Sequence, residues 1–301
     1  MKKLLTGFGV ILIAALLWYL FIKPSDYTVR FEAPSFAGAI NQNLKLWDQT
    51  LDTVQGIQQD GDNIYQLTQK VRFADSTHVY TWNIKPLTDS TSKVIVHVKD
   101  IDHSLMNKIT LPFSDTDFEK RSRKTVLAYM ENIKLHSEKF KVNVVGEVDF
   151  PTKDIAYLPL QVTQFQKAGG MMRNNSYLSG ELIGEKVQLD GPPMIEVTRW
   201  DRENDSLHYN LAQPIIKSNQ LPIHDEIKYK RLFGKRAIMA EYYGNYITSD
   251  RAWYAILDYA KKNGIEVEEK PIEVFYNNPN MGGNELSWKA EIYMPIKEKY
   301  E

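Results

Sequence analysis

Hydrophobic and polar positions alternate along the last part of the chain, and two alternating segments there are imperfect copies of each other. They begin at Pro192 and Lys270 and read PPMIEVTRWDRENDSLHYNLAQPI and KPIEVFYNNPNMGGNELSWKAEIYMPI. Each copy opens with an IEV triplet, crosses a polar turn and closes on an alternating stretch that ends in Pro-Ile. Because a period of two indicates half-buried strands, each copy is predicted to be a strand, loop, strand unit. Duplicated units of this kind are typical of a body with an approximate twofold axis and a groove on that axis.

The flanking pattern extends the duplication to two βαββ repeats, at about residues 141–216 and 226–297. The second repeat contains the best-marked helix, predicted from about Asp250 to Asn263. Thr248 or Ser249 can cap its start, its apolar positions recur at helical spacing, and Gly264 supplies the C-terminal stop. Residues 141–301 are therefore predicted to form one domain.

Residues 26–140 show a different order of elements. A short alternating strand and a helical segment are followed by a run of strands, of which the weakest is predicted at Leu105 to Pro112. A single long helix is predicted from Asp115 to Phe140. This order is typical of an α+β domain.

The first 25 residues are predicted to be a membrane anchor. The run from Leu4 to Ile22 carries no charge, and as a helix it would be about 28 Å long, close to the thickness of a bilayer's hydrocarbon core. The lysines before it favour a single-pass protein with a cytoplasmic N-terminus and an exported body, periplasmic or extracellular. A cleaved signal peptide is the alternative, although no small-x-small cleavage site follows the run.

Composition and motifs exclude several kinds of chemistry. The chain has 37 basic and 38 acidic residues, so it lacks the basic excess of a nucleic-acid-binding protein. It contains no cysteine, which excludes disulfides, thiolate metal sites and a cysteine nucleophile. The Asp100 to His103 stretch is interpreted as a polar turn, because no second ligand cluster accompanies it. No cofactor and no metal are predicted, and protein partners are not indicated.

The element order over residues 26–140, with the opening VRFEAPS, resembles the SRPBCC superfamily of START-like polyketide cyclases. This resemblance implies a helix-grip fold, in which a long C-terminal helix lies across a curved sheet and covers an apolar cavity.

Residues 141–297 resemble the GyrI-like family, also described as the AraC-type effector-binding domain. The matching features are the turn Gly244-Asn245-Tyr246, the stretch PIEVFYNNP from Pro271 and the strand AEIYMPI from Ala290. The resemblance implies two βαββ repeats with pseudo-twofold symmetry and a groove for amphipathic, often cationic, organic molecules. It also implies an acidic residue among aromatic side chains, at the position of Glu291.

Alternation along WKAEIYMPI places Lys289, Glu291 and Tyr293 on one face of the last strand. A partly desolvated carboxylate there could pair with a cation, and burial would tend to raise its pKa. The first repeat has Asn210 at the position of Glu291, so the groove is predicted to be asymmetric. The recurring Glu196 and Glu273 are not predicted to form a paired site, because duplication alone makes residues recur. The predicted ligand-binding residues are Glu291, Tyr293, Tyr246, Tyr276, Asn210, Tyr157 and Trp200.

Three functions follow as hypotheses. The first is a membrane-anchored protein that binds an amphipathic, possibly cationic, small molecule. The second is a hydrolase with Glu291 as general base. The third is an envelope interaction module without catalytic activity.

Overall fold

The chain divides into two compact units, Met1–His136 and Ser137–Glu301. The structure is a computed structural model and describes residues 2–298. Each unit is built on one antiparallel sheet, so the described residues form a mixed α/β structure with two antiparallel sheets.

The first unit has a five-stranded sheet in the order β1-β5-β4-β3-β2. Its elements are, in chain order, α1 (Lys2–Leu17), β1 (Tyr27–Ala33), α2 (Ala37–Asp48), β2 (Thr53–Asp60), β3 (Asn63–Arg72), β4 (Thr77–Pro86), β5 (Ser92–Asp100), α3 (Ser104–Thr110) and α4 (Asp117–Ser137).

The prediction of a transmembrane helix is wrong. Helix α1 has 16 residues, about 24 Å of α-helix against a hydrocarbon core of about 30 Å, and it changes to π-helical geometry over Trp18–Ile22. Within residues 2–298, no helix combines the length and the apolar character that crossing a bilayer requires. The predicted localisation, a single-pass membrane protein with an exported body, is overturned by the same finding.

The predicted fold class is corrected accordingly. We predicted an α+β chain with a transmembrane helix, a START-like helix-grip domain and a duplicated GyrI-like domain. The structure is a mixed α/β chain with two antiparallel sheets and no spanning helix among its described residues. A smaller correction concerns the weak strand predicted at Leu105 to Pro112, because residues 104–110 form helix α3.

Aromatic side chains form the centre of the first unit's core. The ring of Trp82 on β4 lies 6.1 Å from that of Trp47 on α2 and 5.0 Å from that of Tyr129 on α4. Trp82 and Tyr129 are fully buried. Helices α2 and α4 thus pack on the same face of the sheet, the face that carries the even-numbered residues of β4.

The second unit has an eight-stranded sheet in the order β10-β7-β9-β8-β12-β13-β11-β6. Its elements are β6 (Phe140–Phe150), β7 (Lys153–Thr163), α5 (Lys167–Gly184), β8 (Met194–Asp201), β9 (Ser206–Ile215), β10 (Lys228–Leu232), β11 (Lys235–Gly244), α6 (Arg251–Asn263), β12 (Ile272–Phe275) and β13 (Lys289–Pro295). The two IEV segments, in β8 and β12, pair with each other at the middle of the sheet.

One face of this sheet is covered by helices α5 and α6, and we call the opposite face the open face. Helix α6 forms as predicted, with Trp253 and Ile256 fully buried beneath it, and it ends at Gly264 in the left-handed conformation. The open face carries a smaller apolar cluster that includes Phe150 and Ile272. Side chains of one strand therefore meet either a helix-covered core or this open face.

The glutamates of the two IEV triplets lie on opposite faces. Glu196 pairs across the sheet with Ile272 and belongs to the open face. Glu273 pairs with Ile195, points to the helix side and is fully buried. They do not converge, in agreement with the sequence-based interpretation.

The buried Glu273 carboxylate is held by three donors from different elements. Lys167 of α5 forms an ion pair with it, Trp253 of α6 donates through its indole nitrogen, and the Ser249 hydroxyl donates at 2.9 Å. Both members of the ion pair are fully buried. Such a charge pair is tolerated in a core only when its hydrogen-bonding capacity is satisfied, as it is here. It fixes α5 and α6 against the centre of the sheet.

Gly244, at the end of β11, occupies a position that no other residue fits. Its φ is +149°, and a Cβ placed there would lie 2.9 Å from the Phe140 Cβ and 3.0 Å from the Lys139 carbonyl oxygen. Both contacts are shorter than ordinary van der Waals separation. The turn that leads from β11 towards α6 therefore requires glycine at this position.

Comparing alanine substitutions at Gly244 and Gly264 separates crowding from backbone strain. Gly264 also has a positive φ, of +66°, but nothing lies within 4 Å of the position of its Cβ. We expect Gly264→Ala to lower the free energy of unfolding by about 1 kcal/mol, and Gly244→Ala by about 3 kcal/mol. Urea denaturation followed by circular dichroism measures both. Equal losses in the two variants would show that the crowding at Gly244 is relieved without cost.

Candidate functional site

Strand β13 places three polar side chains on the open face. Ala290, Ile292 and Met294 alternate with them and are fully buried on the helix side. Lys289, Glu291 and Tyr293 are consequently directed to the open face, where each is half-buried. This arrangement follows the alternation predicted from the sequence.

The Glu291 carboxylate is the centre of a hydrogen-bonded cluster. The hydroxyls of Tyr276 and Tyr293 each donate to its Oε2 atom at 2.7 Å. The Lys289 ammonium lies 3.0 Å from the other oxygen, Oε1. The side chain of Glu291 is only 14% exposed, so these groups replace most of the water that a free carboxylate would bind. We call these four residues, together with Glu241, the Glu291 cluster.

Burial and hydrogen bonding act in opposite directions on the pKa of Glu291. Burial raises it, but the hydrogen bonds from Tyr276, Tyr293 and Lys289 together outweigh burial, and the pKa lies below its ordinary value. The sequence-based expectation of a raised pKa is therefore wrong. Burial and the bond to Glu291 raise the pKa of Tyr276 to about 12, so its hydroxyl remains a donor at neutral pH.

A second carboxylate gives the Glu291 cluster a net negative charge. Glu241 on β11 lies directly opposite Glu291 in the strand register, and its Oε1 atom is 2.9 Å from the Lys289 nitrogen. Lys289 thus bridges two carboxylates, and this pairing raises the pKa of the ammonium group. Two negative charges and one positive charge leave a formal charge of −1. The Lys289 nitrogen also lies 5.6 Å from the centre of the Tyr276 ring, within cation-π range.

A pocket of about 220 Å³, lined by both apolar and charged side chains, lies next to this cluster on the open face. Tyr293 belongs to the Glu291 cluster and also lines the pocket. There its ring lies 5.0 Å from the ring of Phe150, which is another lining residue. The further lining includes Ile272 and Leu232, with Glu196 and Lys235 among the charged residues. The Glu291 cluster and the pocket are therefore adjoining parts of one surface.

A second polar cluster occupies the first-repeat side of the open face. Asn210 donates to Glu196 at 2.7 Å, and Lys230 donates to the same carboxylate at 2.8 Å. The Lys230 nitrogen lies 5.1 Å from the centre of the Tyr157 ring. Asn210 and Tyr157 thus lie on the same open face as Glu291. They belong, however, to this separate cluster around Glu196.

Two predicted site residues lie elsewhere. Tyr246 is 1% exposed; its hydroxyl donates to the Lys289 carbonyl at 2.8 Å and accepts from the backbone amide of Asn277. It therefore braces the backbone under the site rather than lining it. Trp200 lies on the helix side, with its ring 5.0 Å from that of Trp253 and its indole nitrogen donating to Gln164.

Three residues of this surface were not predicted as site residues, namely Lys289, Glu241 and Glu196. Lys289 could have been found, since alternation places it on the same face as Glu291. Glu241 becomes a neighbour only through the register of β11 against β13, which spans about fifty residues of sequence. No group of three metal-ligating side chains occurs within the described residues.

Comparison with known proteins finds one family match, which lies within the second unit. Residues 161–297 match the family described as the GyrI-like small molecule binding domain. No curated protein matches the chain. The resemblance of residues 26–140 to the SRPBCC superfamily, and the membrane anchor, are not confirmed by these comparisons.

Solved structures show distant likenesses. The C-terminal domain of EcmrR is 11% identical, with 53% of this chain and 99% of that chain covered and a TM-score of 0.43. SAV2435, solved with tetraphenylphosphonium, is 12% identical, with coverages of 52% and 93% and a TM-score of 0.36. A hydrolase from Listeria innocua is 12% identical, with coverages of 50% and 92% and a TM-score of 0.33. A match to the GyrI-like small molecule binding domain is thus found over residues 161–297, within the second unit.

Proposed function

We propose that the open face of the second unit binds an amphipathic organic cation, with its charge at the Glu291 cluster and its apolar part in the adjoining pocket. The observation that carries the proposal is the Glu291 carboxylate, which two tyrosine hydroxyls orient beside a pocket partly lined by Phe150, Leu232 and Ile272. The proposed ligand-binding residues are Glu291, Tyr293 and Tyr276, with Asn210 and Tyr157 on the first-repeat side.

The electrostatics of the cluster support a ligand with one positive charge. The two carboxylates and Lys289 leave a formal charge of −1, which a monovalent cation would neutralise. Because the pKa of Glu291 is lowered, the carboxylate stays ionised at neutral and mildly acidic pH. The faces of Tyr276 and Tyr293 would add cation-π attraction of about 0.5 to 2 kcal/mol.

Lys289 acts as a resident counter-charge in this proposal. Its ammonium already lies between two carboxylates and near an aromatic ring. The same surroundings would stabilise the positive charge of a ligand. A bound cation would share the two carboxylates with Lys289 or shift the lysine towards Glu241. In either case Lys289 sets how much positive charge the site accepts.

The geometry favours binding over general-base catalysis by Glu291. Three donors occupy its two oxygens, and its lowered pKa makes it a weaker base than an ordinary glutamate. A hydrolytic role would require a less protected carboxylate with a raised pKa.

Replacing Glu291 by glutamine tests the cation site. Glutamine keeps the shape of the side chain but removes its charge, so we expect the affinity for phenyltrimethylammonium to fall about tenfold. Glu266→Gln is the matched control, because Glu266 is 70% exposed and makes only a 3.8 Å ion pair with Lys297. Isothermal titration calorimetry of the full chain measures both variants. Equal affinities of wild type and Glu291→Gln would contradict the proposal.

Replacing Lys289 by glutamine tests the charge balance. The formal charge of the cluster changes from −1 to −2, so we expect a bis-quaternary analogue of phenyltrimethylammonium to gain about tenfold over the monocation in relative affinity. Lys297→Gln removes the same charge from an exposed position and is expected to leave this ratio unchanged. A ratio that stays constant in Lys289→Gln would show that Lys289 does not control ligand charge.

A further inference from the structure

A second groove lies on the first unit, on the face of the five-stranded sheet opposite α2 and α4. It consists of two adjoining pockets of about 630 and 400 Å³ that share Pro24, Ser25 and His97. Its floor is the outward-facing side of β1, β4 and β5, where Thr28, His97 and Thr81 lie side by side in the register. None of the side chains of the Glu291 cluster contributes to it.

The wall of this groove is fixed by a buried lysine. The ammonium of Lys108 on α3 donates to the carbonyl oxygens of Leu20 and Lys23, at 3.3 and 2.6 Å, where the N-terminal helical segment ends. Lys108 is almost fully buried and lies 3.8 Å from the Asp26 carboxylate, which also accepts from Ser104. These bonds hold Tyr19 and Lys23 at the groove and offset the charge of Asp26 within the wall.

The groove itself presents an excess of positive charge. Lys23, Arg30 and Lys99 line it, and no carboxylate among residues 2–298 lies within 4 Å of any of the three. The one other acidic residue of the lining, Glu119, is already paired with Arg123 at 2.5 Å. The groove therefore differs from the chain as a whole, which is balanced in charge.

Neutral hydrogen-bonding groups lie between these cations. The Nδ1 atom of His97 is 3.2 Å from the Thr28 hydroxyl and 3.5 Å from that of Ser25. Burial, followed by the charges of Arg30 and Lys23, lowers the pKa of His97. Apolar surface is supplied by Tyr19, Leu111 and Pro112 on one side and by Val79 and Ile101 on the other.

We propose that this groove is a binding site for a small organic anion, with its acidic head group between Arg30, Lys23 and His97 and its apolar body along Leu111 and Pro112. Cations without carboxylate partners would form charge-assisted hydrogen bonds with a carboxylate, sulfonate or phosphate group. The site is separate from the open face and opposite to it in ligand charge. A concave groove of this size suits a small molecule, whereas a polyanion would use the wider sheet face, where Lys85 and Lys93 are opposite each other.

The test uses naphthalene-2-sulfonate and its neutral isostere naphthalene-2-sulfonamide, titrated into the full chain by calorimetry. We expect the sulfonate to bind with a stoichiometry of one and the sulfonamide to bind at least about tenfold more weakly. Arg30→Gln is expected to weaken sulfonate binding about tenfold, because one charge-assisted contact is lost. Lys85→Gln is the matched control, since Lys85 lies on the same sheet face but does not line either pocket.

Each result decides the proposal. It is overturned if the sulfonamide binds as tightly as the sulfonate, or if Arg30→Gln has no effect. It is also overturned if Lys85→Gln weakens binding as much as Arg30→Gln does, because that would indicate a diffuse field suited to a polyanion. A negative result would contradict only the anion site on the first unit. It would not bear on the cation site proposed for the second unit.

Discussion

The alternation of side chains along β13 is the constraint on which the candidate site depends. Ala290, Ile292 and Met294 are fully buried under the helices, so the strand cannot shift by one residue without moving them to the open face. The same shift would bury Glu291 and its neighbours in an apolar core, at the cost of several kcal/mol for each unpaired charge. The core packing of the strand therefore fixes the polar cluster on its other side.

The two faces of the sheet handle buried charge differently. On the helix side, Glu273 is neutralised by Lys167 and enclosed, so it serves to hold the elements together. On the open face, Glu291 shares Lys289 with the carboxylate of Glu241 and lies next to a pocket. The excess of one negative charge beside an open pocket distinguishes the proposed ligand site from a structural ion pair.

Local sequence patterns predicted the parts that depend on nearby residues. The helix at residues 251–263 and the facing of Glu291 both follow from periodicity within one element. Register between distant strands could not be predicted in this way, so Glu241 and the opposite facing of Glu196 and Glu273 were missed. Hydrophobicity alone misled the prediction at the N-terminus, where the apolar run divides into a short α-helix and a π-helical turn.

A crystal structure of the full chain with phenyltrimethylammonium would test the central claim most directly. The account predicts the quaternary nitrogen within about 6 Å of the Tyr276 or Tyr293 ring and next to the Glu291 carboxylate, with the phenyl group in the pocket beside Phe150. A ligand bound at another place, with the open face unoccupied and the Glu291 cluster unchanged, would contradict it.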